Sequence, residues 1–184
     1  MALAAVSPHA YALERDLTNA VQTIGGIYGS IWIHEVGHAL TLSAFGASDI
    51  TIVVPREDRL FSGETRSRQP AAGYRPWQVQ AIAVSGLVAA NLAGEVVMRR
   101  QSLHGSPFAQ SVLGTALVSN AMHVYSYYTR WVGVDGYRGN DIDAFASGGG
   151  NPHLFAAALI AYTAWSLQRM RKDEIPLFHV NLRF

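Results

Sequence analysis

Charged side chains cluster along this chain and leave four long windows between the clusters. From Leu17 to Ser48 the only Asp, Glu, Lys, Arg or His residues are His34, Glu35 and His38. From Pro76 to Gly94 there are none, from Gly105 to Thr129 only His123, and from Ala144 to Gln168 only His153. A window of roughly 18 or more residues without charge is what a helix needs to cross the hydrocarbon core of a bilayer. Four of them predict an all-α integral membrane protein of about four transmembrane helices, multi-pass. The expected helices run over roughly 18–45, 77–98, 107–131 and 152–170, in one membrane-embedded domain covering 1–184.

The segments between the windows add detail. Gly46 is placed to stop the first helix and Pro152 to start the last. The β-branched run from Asp49 to Pro55 predicts a strand. A polar loop with five arginines follows (Arg56, Arg59, Arg66, Arg68, Arg75), with a turn expected at Ser62-Gly63. Strand and loop together suggest a small hairpin beside the first helix. Ala10-Tyr11-Ala12 has the form of a signal-peptidase site, but the residues before it lack a basic start and a long apolar run, so cleavage is not expected.

Composition qualifies this picture. Charged residues make up 15% of the 184, against roughly 25% in a typical soluble domain, yet the mean hydropathy of +0.12 is low for a membrane protein. The windows are rich in Ala, Gly and Ser, which suits helices that pack closely in lipid. Gly86, Ala90 and Gly94 recur every fourth residue as a smooth ridge on the second helix. The competing description is a soluble all-helical protein with Ala-rich core helices. Against it, the windows lack the charged outer face of a soluble helix. A net charge of +1 indicates no nucleic-acid partner, and the absence of cysteine excludes disulfides and thiolate metal sites. The expected partners are membrane lipid and either a membrane-protein substrate or a partner subunit.

The chemistry concentrates in IWIHEVGHALTL. On a helix His34 and His38 lie one turn apart on the same face, so both imidazoles can reach one metal ion. Imidazole nitrogen suits Zn²⁺, and Glu35 beside that face is placed to deprotonate a zinc-activated water and pass the proton to a leaving amine. Gly37 leaves room for a substrate backbone or a neighbouring helix. Ionisable groups cost about 2.5–3.5 kcal/mol each inside a membrane span, so three within one turn require a ligand or tight mutual pairing. The simpler alternative is a hydrogen-bonded polar cluster between helices. Catalytic zinc takes a third protein ligand. Asp141 is the first choice and Asp143 the second, with His123 and Glu95 also in range. Either aspartate can instead cap a helix or turn, and His123 reads more simply as a hydrogen bonder between helices.

These residues resemble the site-2 protease family of intramembrane zinc metalloproteases. The resemblance rests on HEVGHAL followed by Phe45-Gly46, the β-prone loop after it, Ser85-Gly86-Leu87-Val88-Ala89-Ala90-Asn91, which is similar to the family's small-Gly-Pro-x-x-Asn stretch, and a late aspartate. It covers Thr18 to about Ala146. It implies a membrane-embedded zinc, Glu35 as general base, Asn91 near the substrate or oxyanion, and hydrolysis of a peptide bond in or beside the membrane. Two departures stand out. Leu87 replaces the family's proline. The family's Asp-Gly is absent at Asp141 and Asp143 but present at Asp135-Gly136, a third-choice ligand. A protein that keeps the motif as a non-catalytic structural or regulatory subunit is the alternative function.

Overall fold

The structure, a computed structural model, describes residues 8–57, 59–129 and 140–178. Among the described residues there are five α-helices and a two-stranded sheet: α1 (Pro8–Ala44), β1 (Ser48–Val53), β2 (Glu64–Arg68), α2 (Pro76–Arg99), α3 (Pro107–Thr129), α4 (Asp141–Ser147) and α5 (Pro152–Lys172). A single 3₁₀ turn, Gln101–Leu103, links α2 to α3. α1 packs against both α2 and α3, and α5 closes on α3. One apolar cluster joins Val97, Met98, Leu113, Leu117, Met170 and Ile175, and a second joins Leu87, Ile142, Ala156 and Leu159.

Local chemistry sets the element ends. Gly46 has a φ of +83°, the left-handed conformation that glycine adopts without a Cβ penalty. Its N–H donates to Ser43 O and that of Ala47 to Leu42 O, a Schellman stop for α1. Pro152 opens α5 behind Asn151, whose side chain accepts from the N–H groups of His153 and Leu154. β1 and β2 pair antiparallel, with Thr51 opposite Arg66 and Ile52 opposite Thr65. Turn conformation falls at Glu57, Leu60 and Phe61, so Ser62-Gly63 leads into β2 instead of forming the turn.

Two expectations change. α1 begins ten residues before the expected start at 18 and includes Ala10-Tyr11-Ala12. More importantly, about four transmembrane helices are not found. Among the described residues only α2 is long and apolar enough to cross a membrane, so a multi-pass arrangement is not supported. The physical reason is that a window without charge is not thereby apolar. α1 carries Gln22, Thr23 and Ser30, α3 carries Gln110, Ser111 and Asn120, and α5 carries Thr163 and Ser166. Much of that polarity points inward, since Ser30, Gln110, Ser111, Asn120 and Ser166 are all buried.

Small residues let the helices approach. A Cβ at Gly26 would overlap the Phe108 carbonyl oxygen of α3 and lie 2.8 Å from Ser111 Cβ. Neither neighbour is a flexible tip that can swing aside. Gly26→Ala is therefore expected to separate α1 from α3 and cost about 1–3 kcal/mol. Thermal unfolding in detergent checks this, and an unchanged midpoint would contradict the close packing.

Candidate metal centre

His34 and His38 project from consecutive turns of α1, as their spacing requires, and their Nε2 atoms lie 3.0 Å apart. Asp141 is the first residue of α4. Its Oδ2 is 3.3 Å from His34 Nε2 and its Oδ1 is 3.5 Å from His38 Nε2. The donor atoms of these three residues all fall within 4.8 Å of one another, a group that can hold a metal ion.

The second layer explains why they converge. His38 Nδ1 donates to the Ile82 carbonyl of α2 at 2.7 Å, which leaves Nε2 as the lone-pair atom facing the cluster. Asn140 seats α4. Its carbonyl-side oxygen accepts from the N–H groups of Ile142 and Asp143, while its Nδ2 donates to His123 O at 2.8 Å and to Ser126 Oγ at 2.6 Å. Ile142, fully buried against Leu87, locks the helix in place. Gln80 Nε2 adds a bond to Gly148 O at the far end of α4.

Gly86, from the SGLVAAN stretch, faces the two histidines. A Cβ there would overlap His38 Nε2 and lie 2.7 Å from His34 Nε2. Gly37 meets the same helix, where a Cβ would overlap Ser85 O. The room expected at Gly37 is thus taken by α2, and the room at the imidazoles comes from Gly86.

The centre's electrostatics suit a cation. Asp141 Oδ2 receives no hydrogen bond, although imidazole nitrogens lie close by, and His34 Nδ1 is likewise buried without a hydrogen-bond partner. Burial pushes the Asp141 carboxyl up, but the His123, His34 and His38 imidazoles outweigh it and hold it well below the usual carboxylate range. Asp141 is therefore ionised at neutral pH. Lone-pair nitrogens facing an ionised carboxylate repel unless a proton or a cation lies between them.

Glu35 is buried beside this group, only 6% exposed. The Thr65 hydroxyl lies 2.8 Å from Glu35 Oε2 and 3.0 Å from Glu35 O. Gly63 lies over the same side chain, since a Cβ there would come 2.7 Å from Oε1. The hairpin therefore covers Glu35. A cavity of about 470 Å³ runs along β2, and its lining includes Thr65, Ile82 and Ala144, which adjoin the centre, but none of the donors.

Asp143 and Glu95 fall outside this donor group. Asp143 Oδ2 accepts from the Asn140 N–H at 3.1 Å and so works as a helix cap. Glu95 is held by Arg99 and Arg169, each within 2.8 Å. Asn91 exchanges two amide hydrogen bonds with Asn120, at 3.1 and 3.0 Å. Asp135 lies outside the described residues. His123 approaches the centre, with Nε2 3.4 Å from Asp141 Oδ2. Sequence reasoning missed Thr65, Gly63 and Asn140. Thr65 and Gly63 act only across elements, where no spacing rule marks them, whereas Asn140 carries the local signal of a capping box with Asp143.

No family model, curated protein or solved structure matches this chain.

Gly86→Ala places a methyl group against both imidazole nitrogens. It is expected to weaken metal binding by about 10–100-fold, the scale of a disturbed outer layer. Competition against a chromophoric chelator measures this, and an unaltered affinity would show that the ion, if bound, lies elsewhere.

Proposed function

We propose that the chain is a zinc-dependent endopeptidase that hydrolyses a peptide bond of a membrane-protein substrate, related to the site-2 proteases. The observation that carries this reading is the convergence of His34, His38 and Asp141 beside a buried Glu35. Zinc is the favoured ion because the donors are two imidazoles and one carboxylate, the ligand set of hydrolytic zinc. Ligand atoms about 2.0–2.1 Å from a tetrahedral ion stand about 3.3 Å apart. The separations of 3.0, 3.3 and 3.5 Å between these donors are of that size.

Zinc bound there supplies a Lewis acid that activates water and polarises a carbonyl. The protein's part falls to its own residues. Glu35 takes a proton from the attacking water on a carboxylate oxygen. It returns that proton to the amide nitrogen as the C–N bond breaks, releasing an acid and an amine. Thr65 holds Oε2 and so fixes which way the carboxylate faces. The cavity along β2 is the favoured approach for an extended substrate, because Thr65 and Ile82 line it.

Support for a membrane setting is of two kinds. α2 has the length and composition of a span. It also exposes Val88, Leu92 and Val96 along one stripe. Lipid is the proposed covering for these side chains, since apolar patches of this kind are rare on soluble monomers.

Glu35→Gln separates this reading from that of a non-catalytic subunit. With zinc retained at one per chain, cleavage of single-span peptides co-reconstituted in liposomes is expected to fall by about 10²–10⁴-fold. A wild-type protein that binds zinc but cleaves no peptide of such a panel, at ordinary stability, would favour the structural subunit.

A further inference from the structure

His123 contributes more to this centre than a contact between helices. Its Nδ1 lies 2.8 Å from the Ser119 carbonyl, which only accepts, so Nδ1 carries the proton and Nε2 carries the lone pair. That lone pair faces Asp141 Oδ2 at 3.4 Å. Two acceptors at this distance repel unless a proton or a cation lies between them. The same Oδ2 is the oxygen that is buried without a hydrogen bond. The His123 ring also stacks on that of His34, with centroids 5.6 Å apart. Its main-chain carbonyl is one of the acceptors that Asn140 uses to seat α4. His123 and Asp141 are therefore positioned by one hydrogen-bonded unit.

We propose that His123 Nε2 is a fourth protein ligand of the metal, so that the resting centre consists of His34, His38, His123 and Asp141. The inference rests on the zinc reading above and extends it. Four protein ligands would leave a tetrahedral zinc no open position, whereas hydrolysis needs one. The centre would then be latent until one ligand gives way. His34, His38 and Asp141 bring donor atoms within 4.8 Å of one another, and His123 stands outside that group on another helix, so it would join by a shift of its ring and would be the ligand that gives way.

Zinc K-edge X-ray absorption on the full chain in detergent, loaded with one equivalent of zinc, counts the imidazoles directly. Three imidazoles and one carboxylate oxygen are expected in the wild type. His123→Ala is expected to show two imidazoles and an added water oxygen, to bind zinc about 10–100-fold more weakly, and to regain the third imidazole signal when free imidazole is supplied. Two imidazoles in the wild type, with the same spectrum in His123→Ala, would overturn the proposal while leaving the zinc centre intact. A wild type that binds no zinc, or a His34→Ala/His38→Ala double variant that keeps it, would overturn the zinc reading as well. The wild-type count decides the matter even where a variant fails to fold.

Discussion

An ionised carboxylate buried among imidazoles sets the terms for the rest of this molecule. Asp141 loses most of its hydration, and burial alone would drive it to protonate. The surrounding nitrogens keep it charged, yet His38 and His123 each commit their N–H to a backbone carbonyl. Burial holds His123 toward its neutral form, so it meets Asp141 with a lone pair, whereas at His38 burial is outweighed by Asp141 and the Ile82 carbonyl, and the protonated form is favoured. Such a cluster is stable only when positive charge sits within it. A buried charge without a partner costs several kcal/mol, comparable to the whole stability of a domain of this size. The helices around it are therefore arranged as much to present these donors as to bury apolar surface.

That presentation depends on close approach and on hydrogen-bonded seating. Gly37 lets α1 and α2 come together, and Gly86 leaves space over the two Nε2 atoms. These serve different ends, because the first brings backbones together and the second keeps a side chain out. α4 has seven residues, too short to hold a helical conformation by itself. Its position comes from the Asn140 cap, from the bonds of Asn140 to α3, and from Ile142 in the core. A carboxylate ligand on so short an element needs this support, since a displacement of about 1 Å is enough to spoil a metal site.

The parts of the centre governed by local rules were legible in the sequence. His34 and His38 share a face because of the helical period. The stop at Gly46, the strand after it and the start at Pro152 follow from backbone preferences of single residues. The number of membrane spans was not legible in this way, because the charge pattern separates charged from uncharged segments and says little about Gln, Ser, Thr and Asn. Those residues lower the apolar character of α1, α3 and α5, and many of them turn inward. Asp141 could be separated from Asp143 only by geometry, since both stand beside the same cap. His123 offered a signal, being the lone ionisable residue in its window, but a lone histidine does not reveal which neighbour it faces. Thr65 and Gly63 offered none, because a strand reaching over an α1 glutamate is a tertiary event.

The hairpin joins fold to chemistry most directly. The Thr65 hydroxyl has one hydrogen and two acceptors within 3.0 Å, the Glu35 carboxylate and the Glu35 carbonyl. Gly63 prevents the side chain from moving outward. A buried base held in this way gains orientation and loses access to water, so hydrolysis requires solvent or substrate to enter from the cavity along β2. A purely structural centre has no such requirement, and for it a covered glutamate and a filled coordination sphere would both be advantages. The two functional readings therefore differ less in the donors they need than in whether the boundary formed by Thr65, Gly63 and His123 has to open.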